Sequence, residues 1–289
     1  MCALVCFKDD MLKNHMNKID TQLRLARATS VDLQTISVNV VNRALKMIAS
    51  AILSHQKEIL SANLEDLRSI KKTDTYYDRA LLTQGRINGI AGQLRDVAKL
   101  PSPLNKILEQ RTLPNRLRLS KVSVPLGVVG VIYESRPNVT VEVFSLLFKS
   151  GNVCVLKGGK EVRHTNTVLV KIIQQVLKSN KINHNCVVLL SNDRSAVNQM
   201  LRANKYIDVI IPRGGAGLIR FVRENSTIPV IETGAGVVHT YFDKSGDAKI
   251  GAKIIFNAKT RRPSVCNALD TLIIHQARLK DLPKLVAAL

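Results

Sequence analysis

The stretch Gly127-Val128-Val129-Gly130-Val131-Ile132-Tyr133-Glu134-Ser135-Arg136-Pro137-Asn138 decides the fold. It is an apolar run that ends abruptly in a polar loop. A run without polar alternation predicts a strand buried on both faces. Residues 139–149 follow with helical spacing, and Ser150-Gly151-Asn152 closes them, Gly151 serving as the C-terminal cap. Val153 to Leu156 is the next buried strand, and Glu161 to Lys178 the next amphipathic helix. Cys186 to Leu190, Ile207 to Ile211 and Val230-Ile231 read as further short strands. Asp193 to Arg202 and Gly215 to Arg223 read as the helices between them. Strand and helix in alternation build a parallel sheet covered on both faces. Such sheets bind ligands outside the carboxyl ends of their strands. The loops that follow strands here are 134–138, 157–161, 212–217 and 232–236.

Outward from this core the period changes. Val38, Val41, Leu45, Ile48, Ile52 and Ile59 follow helical spacing, as do Leu81, Leu82, Ile87, Ile90, Leu94 and Val97 up to Pro101. Residues 107–124 read as two strands around Pro114-Asn115, with polar and apolar residues alternating through Arg116 to Val122, which predicts a hairpin able to pair with another subunit. Thr271 to Ile274 reads as a strand, and Leu279 to Leu289 as the start of a helix.

The chain has 289 residues, 45% of them hydrophobic, enough for a substantial core. It contains no apolar run long enough to span a membrane. Residues 1–19 lack the apolar segment and cleavage site of a signal peptide, so the cytoplasm is the expected location. Cys2, Cys6, Cys154, Cys186 and Cys266 show no metal-ligand spacing, and no metal is expected. Cys154 and Cys186 lie inside strand-like runs and read as packing residues. The net charge is +21, but it is spread along the chain without a basic block, and aromatic residues are only 4%. That argues against a nucleic-acid surface and for a bias toward anionic small ligands.

Several residues stand where chemistry is done. Lys157-Gly158-Gly159-Lys160-Glu161 follows a strand: the glycines admit a ligand to the backbone, Lys157 can pair with a phosphate, and Glu161 can accept from ribose hydroxyls. Arg213-Gly214-Gly215-Ala216-Gly217 precedes a helix whose free amides make an anion site. Glu232 ends a strand beside glycines, as a general base would. His239 fits polar core or a pocket wall. Asn138 suits either an oxyanion donor or a helix N-cap. Cys266 lies in Lys259-Thr260-Arg261-Arg262-Pro263-Ser264-Val265-Cys266-Asn267-Ala268, where neighbouring cations would favour the reactive thiolate.

Taken in order and spacing, these segments resemble the γ-glutamyl phosphate reductases, a branch of the aldehyde dehydrogenase superfamily. The resemblance rests on Tyr133-Glu134-Ser135-Arg136-Pro137-Asn138, Lys157-Gly158-Gly159-Lys160-Glu161, Pro212-Arg213-Gly214-Gly215, Pro229-Val230-Ile231-Glu232-Thr233-Gly234 and Pro263-Ser264-Val265-Cys266-Asn267-Ala268. It covers residue 22 to the C-terminus. It implies an α/β, aldehyde dehydrogenase-like fold. Residues 1–235 would hold the N-terminal helices, the 107–124 oligomerisation hairpin and a Rossmann-type NADP-binding domain. Residues 236–289 would begin the catalytic domain. Cys266 would be the nucleophile on γ-glutamyl phosphate, Asn138 an oxyanion donor and Glu232 the superfamily's base. Lys157, Gly158, Gly159, Glu161, Arg213, Gly214 and Gly215 would hold NADPH. Charge and position add Arg136 or Arg262 as the substrate phosphate contact. A homo-oligomer is implied, with glutamate 5-kinase as a further partner.

Two features depart from that pattern. The family usually continues well beyond the position of Leu289, so a shortened catalytic domain is expected. A non-catalytic remnant that binds nucleotide or a partner subunit is the alternative. The segment before His239 also lacks the polar Asn-Cys pair often seen there.

Overall fold

A computed structural model describes residues 3–232, 234, 236–261, 263 and 265–289, with the backbone alone for residues 3–17, Thr75 and Arg194. The chain divides into two compact units, Met1–Glu232 and Thr233–Leu289.

The N-terminal unit opens with five helices: α1 (Ala3–Gln34), α2 (Val38–Ser54), α3 (Gln56–Leu67), α4 (Thr75–Ala80) and α5 (Gln84–Lys99). The apolar stripe of α2 buries Val41, Leu45, Ile48 and Ile52, as the spacing marked, while Val38, marked with them, is exposed at the first turn. Thr83 caps α5, accepting from the Arg86 amide. The hairpin follows: β1 (Ile107–Thr112) pairs antiparallel with β2 (Arg118–Val122), and every residue of both strands is exposed.

The sheet comes next. It comprises β3 (Val128–Tyr133), β4 (Val153–Lys157), β5 (Val187–Leu189) and β6 (Val209–Arg213), all parallel, in the order β5-β4-β3-β6. Every residue of β3 and β4 is buried, as their unbroken apolar runs require. The helices between strands are α6 (Pro137–Lys149), α7 (Arg163–Ser179) and α8 (Arg194–Leu201), with α9 (Ala216–Asn225) after β6. At the C-terminus of α6, Gly151 takes φ +71. Its amide bonds Phe148 O at 3.1 Å and the Asn152 amide bonds Leu147 O at 2.8 Å, which completes a Schellman motif. The chain runs outward from β3 to β5 on one side and returns to β6 on the other. The switch point therefore falls between β3 and β6, and the carboxyl ends at such a point are where sheets of this kind bind ligands.

Three expectations shift. Glu161 does not open a helix; it sits in a 3-10 turn, Lys160–Val162, and α7 begins only at Arg163. Asn138 is not the N-cap of α6: Arg136 holds that position and Pro137 is the first helical residue, which its fixed φ suits. Val230-Ile231 makes only a single parallel bridge, Val230 to Ile210, since Pro229 has no amide to donate.

In the C-terminal unit β7 (His239–Phe242) pairs parallel with β8 (Thr271–Ile274) across α10 (Ala248–Thr260), and α11 (Leu282–Val286) follows. Phe242, Ile255, Leu269 and Leu285 form its small core. No helix among the described residues is long and apolar enough to cross a membrane.

Candidate functional site

The loops at the carboxyl ends of β3, β4 and β6 meet through carboxylates. Glu161 Oε1 accepts from the amide of Ser135 at 3.1 Å and from its hydroxyl at 2.6 Å. Ser135 is buried at φ +39, a backbone region that costs a serine strain. Both of its donors end on one anionic oxygen, which offsets that cost. This turn launches Arg136 and Asn138, both half-buried, at the start of α6. Glu134, one residue earlier, sends Oε2 to the Gly215 amide at 2.9 Å.

Lys157 is the last residue of β4 and is 7% exposed. Its Nζ donates to Gly158 O at 3.0 Å. Burial pushes its pKa below the ordinary lysine value, and the carboxylates of Glu161 and Asp193 oppose the shift. Gly158 and Gly159 leave no room for a side chain. A Cβ on Gly158 would stand 2.4 Å from Asn166 Nδ2, and one on Gly159 2.3 Å from Glu161 Oε1. Arg213, Gly214 and Gly215 are exposed at the end of β6 and the start of α9.

Beneath this rim lies a buried polar chain that the sequence did not reveal. Tyr133 Oη and Thr140 Oγ1 are 2.7 Å apart, and Thr140 Oγ1 donates to Asn166 Oδ1 at 2.8 Å. Asp66 of α3 seats the start of α7, accepting from the amides of His164 at 2.9 Å and Thr165 at 2.8 Å. A cavity of about 690 Å³ lies beside β5, with Gln22, Arg163, Asn166, Ser191 and Asp193 among its lining. No spacing in the sequence pointed to it, because its walls come from α1, α7 and the loop after β5.

Glu232 closes the N-terminal unit, and its Oε1 accepts from Arg223 Nη1 at 3.2 Å. That ion pair anchors the carboxylate on α9.

In the C-terminal unit Cys266 is a free, exposed thiol. Cys154 and Cys186 are buried, and burial drives both their pKa values up. The loop carrying Cys266 is tied down on both sides. Lys259 Nζ donates to Leu269 O at 2.9 Å, and the Leu269 amide donates to Ala258 O at 3.0 Å. Gly236 runs against it, so a Cβ there would stand 2.6 Å from Cys266 O. The Lys259 ammonium is thus committed to a carbonyl. His239 is exposed at the start of β7 and so is not core, with Nδ1 3.1 Å from Val237 O. Arg262 lies outside the described residues.

Comparison with known proteins places this geometry. The sequence model of the aldehyde dehydrogenase family matches residues 16–289. The γ-glutamyl phosphate reductase of Pelodictyon phaeoclathratiforme is 54% identical over 271 residues, covering 94% of this chain and 65% of that protein. The crystal structure of γ-glutamyl phosphate reductase from Thermotoga maritima superposes with a TM-score of 0.82 at 38% identity, over 93% of this chain and 66% of that one. The Saccharomyces cerevisiae counterpart gives a TM-score of 0.69 at 30% identity, over 93% and 69%. An acetylating aldehyde dehydrogenase from Geobacillus thermoglucosidasius, 16% identical with a TM-score of 0.70, shares the fold alone. The chain spans 65% of the length of the first of these relatives. With its parallel sheet and a match that runs through both units, the chain belongs to the aldehyde dehydrogenase family.

Proposed function

We propose that the protein reduces γ-glutamyl phosphate to glutamate 5-semialdehyde, with NADPH as reductant, in proline biosynthesis. The observation that carries the reading is Cys266. It is exposed, while Cys154 and Cys186 are sealed in the core. Likeness to the reductases supports the choice of substrate.

The residues at the switch point suit a dinucleotide. Gly158, Gly159 and Gly214 stand where a Cβ would collide, Gly215 is an exposed residue, and Lys157 adds a cation at the end of β4. In this reading Gly214, Gly215 and Arg213 hold the pyrophosphate. Lys157, Gly158, Gly159 and Glu161 hold the adenosine ribose. When bound, NADPH supplies hydride to the acyl carbon.

The chain's own steps are nucleophilic. The Cys266 thiolate attacks the acyl carbon, the carbon–oxygen bond to phosphate breaks, and a thioester remains on Sγ. Phosphate departs with the electron pair, and Arg136 or Arg262 receives its charge. The Asn138 amide and the Cys266 backbone N–H stabilise the oxyanion that forms at each tetrahedral stage. Because the acyl phosphate brings its own leaving group, the role of Glu232 is confined to proton handling.

The exposed hairpin suits a second copy of the chain, since Ile107, Leu108, Leu117 and Leu119 have no cover of their own. Glutamate 5-kinase, which would supply the acyl phosphate, is the further partner in this reading. A reducing cytoplasm fits the three free thiols among the described residues.

The test runs the reaction backward, with pyrroline-5-carboxylate, phosphate and NADP, on the 289-residue chain and on Cys266→Ala. Phosphate-dependent NADPH formation that disappears in the variant is expected. A well-folded chain that binds NADPH without turnover would instead support the non-catalytic alternative.

A further inference from the structure

Three helices start at the carboxyl ends of β3, β4 and β6, and they differ in what their first amides do. The start of α6 is Pro137, which has no N–H to offer a ligand. The start of α7 is already filled. Asp66, 3% exposed, takes the His164 and Thr165 amides and the Thr165 hydroxyl, and it is fixed by the packed scaffold helix α3. The start of α9 is different. Its N-cap, Gly215, is exposed, and the anion on its amide is the side chain of Glu134, a half-buried residue of the loop after β3. The Glu134 amide donates to Arg213 O at 3.2 Å, continuing the β3–β6 ladder by one rung. That rung sets the Glu134 side chain across the switch point, against Gly214, where a Cβ would stand 2.7 Å from Glu134 Oε2.

A helix start attracts negative charge through its free amides and its dipole. Here the chain supplies that charge from a neighbouring strand. A phosphate oxygen seated on the Gly215 amide would need the place that Glu134 Oε2 now holds. Two anions cannot share it, because their repulsion is strongest at contact distance. We propose that Glu134 is the specificity-determining residue of the anion seat at α9. Its carboxylate competes with any incoming phosphate, so the seat turns away small free anions. It yields only to a pyrophosphate held by further contacts elsewhere, as in a dinucleotide. The proposal rests on the reading of the 213–217 loop as a pyrophosphate site.

The test titrates the 289-residue chain, Glu134→Gln and Glu134→Ala with NADPH by fluorescence and with inorganic pyrophosphate by calorimetry. Glu134→Gln keeps the side chain's shape and removes its charge. Glu134→Ala removes the competitor altogether, so either variant serves if the other fails to fold. Both should bind NADPH more tightly than the wild type, on the order of tenfold, the loss of one charge-assisted hydrogen bond being the cause. Both should also gain measurable pyrophosphate binding that the wild type lacks. NADPH affinity equal to or weaker than wild type, without gain for pyrophosphate, overturns the proposal while leaving the cofactor reading in place. Pyrophosphate binding gained without NADPH binding in any form supports the seat and overturns the dinucleotide reading. No binding of either probe by any form overturns both.

Discussion

Glu161 holds Ser135 through two hydrogen bonds to a single oxygen, 2.6 Å from the hydroxyl and 3.1 Å from the amide. The contact joins the loop after β4 to the loop after β3. It links the proposed ribose contact to the turn that presents Arg136 and Asn138.

Removing that carboxylate strands two donors in a region where Ser135 is 1% exposed. An unsatisfied buried donor costs about 1–3 kcal/mol. Glu161→Ala should therefore lower the melting temperature of the N-terminal unit by roughly 5 °C, at about 2–4 °C per kcal/mol for a unit of this size. Glu161→Gln, which keeps an acceptor, should lose less. Calorimetry of the two variants checks the order, and equal losses would show that the hydrogen bonds contribute little.

Asp66 makes a stronger claim on stability. It serves two amides and a hydroxyl at the start of α7, at 2.9, 2.8 and 2.6 Å. Asp66→Ala should cost about 3 kcal/mol, the upper range for a cap combined with buried donors left unpaired. Urea unfolding measures this directly, as a fall in midpoint with the slope unchanged.

If Lys157 holds the cofactor as proposed, it trades stability for binding. Burial holds its pKa below the ordinary lysine value of 10.5. The folded state therefore releases this proton at a lower pH than the unfolded chain. Between the two values the unfolded state binds more protons, and stability rises with pH. Below the folded value the desolvation cost is fully present. Lys157→Met should raise the melting temperature by about 2 °C at pH 7 and abolish NADPH binding. Its advantage over the wild type should shrink as the pH climbs from the folded value toward 10.5. Paired melts at pH 7, 8.5 and 10 test the sign.

Thiol reactivity should separate Cys266 from Cys154 and Cys186. With Cys2 and Cys6 changed to serine, a maleimide at pH 7 should label Cys266 in the native chain. Cys154 and Cys186, buried and with their thiols pushed up by that burial, should react only after unfolding. Mass spectrometry of the digested protein reads the order of labelling.

What the sequence disclosed followed from periodicity and glycine. The unbroken apolar runs of β3 and β4 announced a two-sided parallel sheet, and Gly151 announced the end of α6. Boundaries were hidden where a side chain from elsewhere decides them. The α-helical part of α7 starts after Val162, beside an Asp66 nearly a hundred residues upstream that seats His164 and Thr165. The Glu134 and Glu161 contacts were invisible for the same reason: each joins loops that follow different strands, and local spacing carries no record of the partner. Lys157 was legible as a cation at a strand end, but its burial was not, because that depends on packing around β4.

In the proposed reaction Cys266 carries the acyl group. This role is tested by incubating the 289-residue chain with glutamate 5-semialdehyde and NADP in the absence of phosphate, then measuring NADPH and mapping adducts by mass spectrometry. Thiol, aldehyde and NADP then give thioester, NADPH and a proton, with nothing present to release the acyl group. A burst of NADPH not exceeding one per chain is expected, with a glutamyl adduct on the peptide holding Cys266. A burst with the adduct on another residue, or NADPH without any adduct, would contradict that role.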